Sequence, residues 1–273
     1  TLEPSSAASD VYKRQEPGPL ELPGYKPTLD PNPKMIQQAA NLIKNSKKPI
    51  LYVGGGIIHS KANRELFDLA TKFNIPVVTT LMGRGAFPDG HELCLEMPGM
   101  HGNYTATTSI QKSDLLIAIG VRFDDRVTAN PSFFAQNAKV IHADIDPAEI
   151  GKVREAQVPI VGDAKSVILG LIDALQDEEL DTKNWINELN SMKTEHPLSY
   201  NQDENGPLKV PFVLEELQDL TEEGAIVVSG VGQHQMWISQ HWNFTEPNTW
   251  LNSGGLGTMG YSLPAAIGAK TAY

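Results

Sequence analysis

The alternation of short apolar runs with helical patterns limits the possible fold more than any other feature of this sequence. Five apolar runs lie at 50–53, 77–80, 115–119, 140–145 and 159–161. Apolar residues at helical spacing surround them, at 33–47, 61–73, 105–112, 148–153 and 165–175. Continuous apolar strands separated by helices indicate a parallel sheet that is covered on both faces. We therefore predict an α/β fold of the doubly wound, Rossmann-like type.

Changes in composition divide the chain into five stretches. In chain order we predict an artefact or disordered stretch (1–15), a Pro-rich linker (16–32), a first α/β unit (33–176), an acidic connector (177–206) and the start of a second α/β unit (207–273). The connector contains one helical pattern, near 185–192, and the second unit contains patterns at 211–220, 225–229 and 263–272. Because no capping residue follows the last pattern, we expect this unit to be truncated.

Charge and hydrophobicity exclude several classes of partner. The net charge of −11 leaves no basic surface for nucleic acid. No apolar run approaches the roughly 18 residues that a membrane-spanning helix needs, and the start of the chain has no signal-peptide core. Cys94 is the single cysteine, so it can form no internal disulfide and is expected to be an ordinary small side chain. These features predict a cytoplasmic protein.

The residues after each strand are the candidates for ligand binding, because ligands of doubly wound sheets lie beyond the carboxyl ends of the strands. Three glycines, Gly54 to Gly56, follow the first strand, and they fit either close approach to a ligand or a tight turn. A loop of about twenty residues at 81–102 is longer than a compact domain usually tolerates without a function. It contains Pro98-Gly99-Met100-His101-Gly102.

The next strand ends carry charge. Residues 120–126 read GVRFDDR, and paired arginines at a strand end suit a diphosphate, although a surface salt-bridge cluster remains an alternative. Residues 142–147, HADIDP, and then Gly162-Asp163 bring carboxylates to the following strand ends, where they can accept hydrogen bonds from ribose hydroxyls. A dinucleotide spread across this edge of the sheet is the interpretation that the residues favour.

Two further glycine-rich segments lie in the second unit. Residues 230–237 read GVGQHQMW and follow a strand, and residues 253–260 read SGGLGTMG and precede a helix. A glycine-rich loop before a helix can present backbone groups to a phosphate or a heterocycle. The spacing of these glycines alone does not identify a particular ligand.

Taken in order, these segments resemble the catalytic subunit of the acetolactate synthase family of thiamine-diphosphate enzymes. The resemblance runs from about residue 23 to the end. It rests on six motifs in the family's order: GMHG (99–102), RFDDRVT (122–128), HADIDPAEIGK (142–152), VGD (161–163), GQHQMW (232–237) and SGGLGTMGY (253–261). It implies that residues 33–176 form an FAD-binding middle domain. Residues 207–273 are then the N-terminal part of a thiamine-diphosphate-binding domain.

The resemblance also implies the site residues. Those implied to bind FAD are Gly55, Thr80, Leu81, Pro98, Gly99, Met100, His101, Gly120, Val121, Arg122, Phe123, Asp124, Asp144, Ile145, Asp163, Ala164, Gly254 and Gly255. Those implied to contact thiamine diphosphate are Gln233, His234, Gly257, Thr258 and Met259, with the Met259 side chain between the two rings. Arg126 is implied to face the substrate channel, and Ser262 departs from the glycine that relatives usually have.

The family's reaction is the decarboxylation of pyruvate and its condensation with pyruvate or 2-oxobutyrate, the first common step of valine, leucine and isoleucine synthesis. By the same resemblance, the family's catalytic glutamate and magnesium ligands are expected to lie outside this chain. No catalytic residue is then assigned within it, and the chain alone is expected to be inactive. Implied partners are 2-oxoacids, further catalytic subunits in a dimer or tetramer, and a small regulatory subunit.

Two alternatives stay open. One is another FAD-containing thiamine-diphosphate enzyme, of the pyruvate oxidase or glyoxylate carboligase type. The segments at 122–128 and 232–237 favour the synthase. The other is a non-catalytic module that binds a nucleotide.

Overall fold

A computed structural model describes residues 24–273 of the protein. The predictions for 1–15 and for the linker up to residue 23 lie outside the described residues. Within the described part, no helix is long and apolar enough to cross a membrane.

The first unit is built on five parallel strands, all at predicted positions to within two residues. They are β1 (Pro49–Val53), β2 (Val77–Thr79), β3 (Leu115–Ile119), β4 (Lys139–Asp144) and β5 (Val158–Val161), in the spatial order β2-β1-β3-β4-β5. Every residue of β1 and β3 is buried. The parallel-sheet prediction is confirmed, and its cause is that these apolar strands are covered on both faces.

At the edge of the sheet, residues 93–96 form backbone hydrogen bonds with β2. The amides of Val77 and Thr79 donate to the carbonyls of Leu93 and Glu96, each at 2.9 Å, and Leu95 N donates to Val77 O at 2.8 Å. If residues 93–96 are counted as a strand, the order from this edge is 3-2-1-4-5-6. That is the order of doubly wound dinucleotide-binding sheets.

Helices cover both faces of the sheet. They are α1 (Pro33–Asn45), α2 (Gly55–His59), α3 (Asn63–Phe73), α4 (Tyr104–Lys112), α5 (Asp125–Thr128), α6 (Ala164–Ala174) and α7 (Lys183–Glu195). The predicted start of α1 is confirmed, because the Asn32 side chain accepts from Lys34 N and Pro33 occupies the first turn.

The helix predicted at 148–153 is wrong, because the chain makes turns there. The Asp144 and Asp146 carboxylates accept from the amides two residues ahead, of Asp146 and Ala148, both at 2.9 Å. Gly151 follows with φ +76°. Such local side-chain bonds compete with helix formation.

Separate apolar clusters lie on the two faces. One joins α1, α3 and α6 to the sheet, and the other joins α4 and α7 to it. In α7, Trp185 is fully buried and its Nε1 donates to Pro49 O at 3.1 Å. The helix of the predicted connector therefore packs as part of the first unit.

The second unit contains α8 (Val210–Asp219), β6 (Val227–Ser229), α9 (Gln233–His241), β7 (Trp250–Asn252) and α10 (Ser262–Ala272). Strands β6 and β7 are parallel neighbours in a two-stranded sheet. The sequence patterns did not predict α9 or β7. Segment 243–247, which connects them, contacts the first unit at residues 84–89.

Candidate functional site

A cavity of about 800 Å³ opens at the carboxyl ends of the first unit's strands. Residues that follow β1 and β3 line it, and these two strands lie side by side at the point where the winding of the sheet reverses direction. Doubly wound sheets bind their ligands at this point. The volume lies within the range of about 300–1,000 Å³ that is usual for ligand pockets.

Nearly all of the residues that the sequence assigned to a flavin line this one cavity. They come from five strand ends, the loop after β2 and the second unit, and they are Gly55, Thr80, Leu81, Pro98, Met100, His101, Gly120, Val121, Arg122, Phe123, Asp124, Asp144, Ile145, Asp163, Ala164, Gly254 and Gly255. Arg126 lines it too. The exception is Gly99, which does not line the cavity. An added Cβ there would lie 2.6 Å from Arg126 O, so this glycine allows its segment to pack closely against the backbone of residue 126.

Several lining residues had no signal in the sequence that could have identified them. Tyr25 comes from the Pro-rich segment, Tyr52 from inside β1, His59 and Ser60 from the end of α2, and Met82 from the short 3₁₀ turn after β2. Only Met82 was adjacent to an assigned residue. The others reach the cavity through the fold and not through a motif.

The three glycines after β1 have different functions. A Cβ on Gly54 would lie 2.3 Å from Gly120 O, and one on Gly56 would lie 2.6 Å from Gly120 Cα. These two glycines therefore allow the ends of β1 and β3 to approach each other. A Cβ on Gly55 would make only ordinary contacts with Met82, 3.4 Å from its O and 3.5 Å from its Cβ, and both Gly55 and Gly56 line the cavity.

The segment after β3 combines a strained backbone with a rigid aromatic anchor. Phe123 adopts φ +52°, a left-handed conformation that is uncommon for a bulky residue. Its buried ring packs edge-on against Tyr52, Phe134 and His142, with centroid distances of 5.6, 6.1 and 4.9 Å. This packing holds the backbone between Gly120 and Asp124, which forms the cavity wall.

The arginines of this segment are loosely paired. The Arg122 side chain is 59% exposed and lies 3.6 Å from the Asp124 carboxylate, and Arg126 lies 3.7 Å from the Asp125 carboxylate. Long, exposed ion pairs of this kind contribute little to stability. Both guanidinium groups line the cavity with donors available to an anionic ligand.

Each of the three strand-end aspartates uses one carboxylate oxygen to organise its own turn. Oδ1 of Asp124 accepts from Arg126 N at 3.0 Å, Oδ1 of Asp144 accepts from Asp146 N at 2.9 Å, and Oδ1 of Asp163 accepts from Lys165 N at 3.0 Å. The second oxygen of Asp124 lies 3.6 Å from Arg122, whereas the second oxygens of Asp144 and Asp163 accept no hydrogen bond within residues 24–273. Burial raises the pKa of Asp144 above its usual range.

The pKa values of two histidines at the site are lowered. Burial, together with the charge of Arg126, lowers the pKa of His101, and its Nε2 is buried without a hydrogen-bond partner in the described structure. Burial also lowers the pKa of His142, whose Nε2 donates to Val121 O at 2.9 Å. A buried nitrogen without a partner in a cavity wall can be paired by a ligand or by a water molecule.

The residues assigned to thiamine diphosphate lie in two segments that meet at the end of β6. Gln233 and His234 begin α9. A Cβ on Gly230 would lie 3.3 Å from His234 Nε2, and one on Gly257 would lie 3.7 Å from Val231 Cγ1. Met259 is 77% exposed, which excludes a role as a core residue in this structure.

The groups that line the cavity suit an organic cofactor. The cavity offers glycine backbone, two arginines and strand-end carboxylates, which match a diphosphate and ribose hydroxyls. Within residues 24–273, no cluster of three or more His, Cys, Asp or Glu is arranged to hold a metal ion. Fold and cavity together place the first unit in the class of doubly wound α/β domains with a ligand site at the topological switch point.

Comparisons with known proteins identify the family within this class. Residues 36–171 match the thiamine pyrophosphate enzyme central domain, and residues 230–273 match the thiamine pyrophosphate enzyme C-terminal TPP binding domain. The chain therefore belongs to the thiamine pyrophosphate enzymes.

The relatives carry a more specific name. The chain is 53% identical to an acetolactate synthase of Mycobacterium leprae, over 98% of this chain and 44% of the relative. It is 51% identical to the acetolactate synthase large subunit of Corynebacterium glutamicum, over 93% of this chain and 41% of the relative. It is 46% identical to the chloroplastic acetolactate synthase 1 of Nicotiana tabacum, over 92% of this chain and 38% of the relative. The chain thus spans less than half the length of these relatives.

Proposed function

We propose that this chain is part of the catalytic subunit of an acetolactate synthase. In this proposal, the protein decarboxylates pyruvate and condenses the product with a second pyruvate or with 2-oxobutyrate, at the start of branched-chain amino acid synthesis. The identity of 51–53% with acetolactate synthases over most of the chain supports the assignment. The observation that carries it is the cavity lined by residues from both units, because five of the six family motifs contribute residues to its wall.

The cavity is proposed to bind FAD as a structural cofactor. Arg122 would bind the diphosphate, and the free oxygens of Asp144 and Asp163 would accept hydrogen bonds from sugar hydroxyls. The unpartnered Nε2 of His101 would form a hydrogen bond to the cofactor. Because the flavin is proposed to shape the protein, no redox step is assigned to it.

The segments at the end of β6 are proposed to bind thiamine diphosphate, which supplies the electron sink for decarboxylation when it is bound. Residues 207–273 are then part of a thiamine-diphosphate-binding domain. Gln233 and His234 would contact the cofactor from α9, and Gly257 and Thr258 would do so through the loop backbone. The exposed Met259 side chain would hold the two rings in a bent conformation. Magnesium is part of the proposal, with no ligand assigned in this chain.

The proposal extends to partners and location. The substrates are small 2-oxoacids, and the catalytic subunits are proposed to form a dimer or tetramer. The words "large subunit" in the name of the Corynebacterium relative support a smaller regulatory partner. We propose a cytoplasmic location, or a plastid location for a plant or algal source, in line with the chloroplastic name of the tobacco relative.

Flavin binding by the purified chain is the first test. Incubation with FAD, FMN or NAD followed by gel filtration should leave FAD bound, with its absorbance in the protein peak. Binding of NAD in preference to FAD, or no binding by folded chain, would contradict the assignment of the cavity.

The reaction is tested on the protein that contains this sequence, supplied with pyruvate, thiamine diphosphate, magnesium and FAD. The expected product is acetolactate, identified by mass spectrometry. Oxygen-dependent formation of acetate or acetyl phosphate with hydrogen peroxide would instead identify an oxidase. In the same protein, Met259→Ala should lower kcat about tenfold with a near-normal melting temperature.

A further inference from the structure

The loop between β7 and α10, residues 253–260, touches both proposed cofactor sites. At its first end, Gly254 and Gly255 line the 800 Å³ cavity. A Cβ on Gly254 would lie 2.3 Å from Met82 Sδ and 3.4 Å from Leu81 Cδ2, so the loop backbone lies directly on side chains of the cavity wall. A ligand that fixes this wall therefore also fixes the first end of the loop.

The second end of the loop belongs to the proposed thiamine site and lies outside the cavity wall. Its side chains are solvated: Leu256 is 97% exposed and Met259 is 77% exposed. Gly257, at φ +65°, approaches Val231 in the segment before α9. Exposed loop ends with little packing open locally at low cost.

One side-chain hydrogen bond joins the two ends. Ser253 Oγ accepts from Thr258 N at 2.7 Å, across the turn that contains Leu256 and Gly257. Ser253 is adjacent to Gly254 at the wall, and Thr258 is adjacent to Met259. Any restraint on the first end is therefore transmitted to the second end through this bond.

We propose that Ser253 is a positioning residue that couples the two sites, an inference that rests on the proposed function. Occupation of the cavity by the dinucleotide holds Gly254 against Met82, and the Ser253–Thr258 bond extends that order to residues 256–260. The thiamine segment is then partly ordered before thiamine diphosphate arrives. Because coupling between sites is reciprocal, bound thiamine diphosphate strengthens flavin binding by the same factor.

Hydrogen exchange of the purified chain, with and without FAD, tests the coupling. Amides at 254 and 255 can be protected by direct contact, so the informative peptides cover residues 256–261. In the wild type, saturating FAD should slow exchange there about 3- to 10-fold, the range that one hydrogen bond of ordinary net strength accounts for. In Ser253→Ala, FAD should still bind, but the slowing at 256–261 should disappear.

Two further variants complete the design. Ser253→Thr keeps a hydroxyl and should restore the response, and Leu256→Ala alters an exposed side chain of the same loop and should retain it. The FAD titration of each variant is recorded first. Absence of flavin binding in the wild type would contradict the proposed function, whereas binding with no protection at 256–261, or with equal protection in Ser253→Ala, would contradict only the coupling.

Discussion

Single residues at the cavity edge divide into those that maintain the fold and those that are free to bind a ligand. Phe123 belongs to the first group, because its buried ring fixes a strained backbone. Arg122 belongs to the second, because it is exposed and its partner carboxylate is 3.6 Å away. The sequence showed the arginines at a strand end. It could not show their exposure, which depends on neighbours far along the chain.

Replacing Arg122 by alanine should weaken FAD binding without unfolding the chain. Loss of a charge-assisted bond to a diphosphate typically costs about 1.5–3 kcal/mol, which corresponds to roughly 10- to 150-fold in Kd. Flavin fluorescence titration measures this change. The control is Arg64→Ala, an exposed arginine on α3 outside the cavity wall. If Arg122→Ala binds FAD like the control, the arginine cluster is only a surface ion-pair group.

The lowered histidine pKa values predict that the free energy of unfolding falls in mild acid. The pKa of His142 is lowered by burial, so below the ordinary histidine pKa of about 6.5 the unfolded chain binds more protons than the folded one. The free energy of unfolding should therefore fall as pH decreases from about 7.5 to 5.5. His101 acts in the same direction, and the raised pKa of Asp144 acts in the opposite one.

The variant His142→Phe keeps a ring against Phe123 and removes the titrating group. Its pH dependence, measured by urea unfolding, should be shallower than that of the wild type by at most about 1.4 kcal/mol per pH unit, the value for one proton. Equal slopes in His142→Phe and the wild type would show that His142 is not the titrating group.

At the scale of elements, adjacent glycines separate packing from binding. Gly54→Ala should lower the free energy of unfolding by about 1–3 kcal/mol, because Gly54 is not part of the cavity wall and its Cβ would lie 2.3 Å from Gly120 O, so the strand ends must move. Gly55→Ala should stay within about 1 kcal/mol of the wild type and should chiefly weaken FAD binding, since Gly55 faces the cavity. Urea unfolding and flavin titration compare the two variants. Equal stability losses would remove the distinction.

The strands were predictable and some connecting elements were not, for physical reasons. Runs such as β3 are continuously apolar, and burial on both faces requires that pattern. Helix α9 buries Gln235 and Ser239, which are polar, so no apolar period marked it. Strand β7 contributes only two apolar residues, Trp250 and Leu251, between the polar Thr249 and Asn252, so no continuous apolar run marked it. The turns at 148–153 were mistaken for a helix. The hydrogen bonds of the Asp144 and Asp146 side chains, which lead into these turns, depend on a backbone geometry that the sequence pattern does not show.

For the site, the motifs gave the lining residues that follow strands. They could not give Tyr25, Tyr52 or His59, which reach the cavity only through tertiary folding. The placement of cofactors within the cavity stays a prediction. Trp185 shows the same limit in the core, since its partner Pro49 is 136 positions away.

At the scale of the whole molecule, a buried junction connects the two units. Arg84 and Asp89 form a two-pronged ion pair with both distances 2.7 Å and both side chains almost fully buried. Asp89 Oδ2 also accepts from Phe244 N at 2.6 Å, and the Arg84 guanidinium lies 5.5 Å from the centre of the Phe244 ring. The second unit is therefore attached through a charged group that water cannot reach.

Removing the charge at this junction should be costly. Asp89→Asn leaves the Arg84 guanidinium buried without a counter-ion, a change that typically costs about 3–5 kcal/mol. Urea unfolding measures the loss, and Asp68→Asn, at an exposed position on α3, is the matched control. The double variant Arg84→Met/Asp89→Leu should recover much of the lost stability, because it removes both charges. A loss below about 1 kcal/mol in Asp89→Asn would show that the pair is hydrated in solution.

The spread of the cavity wall along the chain also bears on when the protein can acquire its ligand during biosynthesis. The wall begins near Tyr25 and is completed by Gly254 and Gly255. At about 5–20 residues per second, a ribosome makes Gly255 roughly 10–40 s after Gly55. Until then the nascent first unit has an incomplete wall next to the Met82 side chain. If the cavity binds FAD as proposed, full-affinity uptake should therefore be a late event for each polypeptide, and a stalled chain that ends before β7 should be released from the ribosome without a tightly bound flavin.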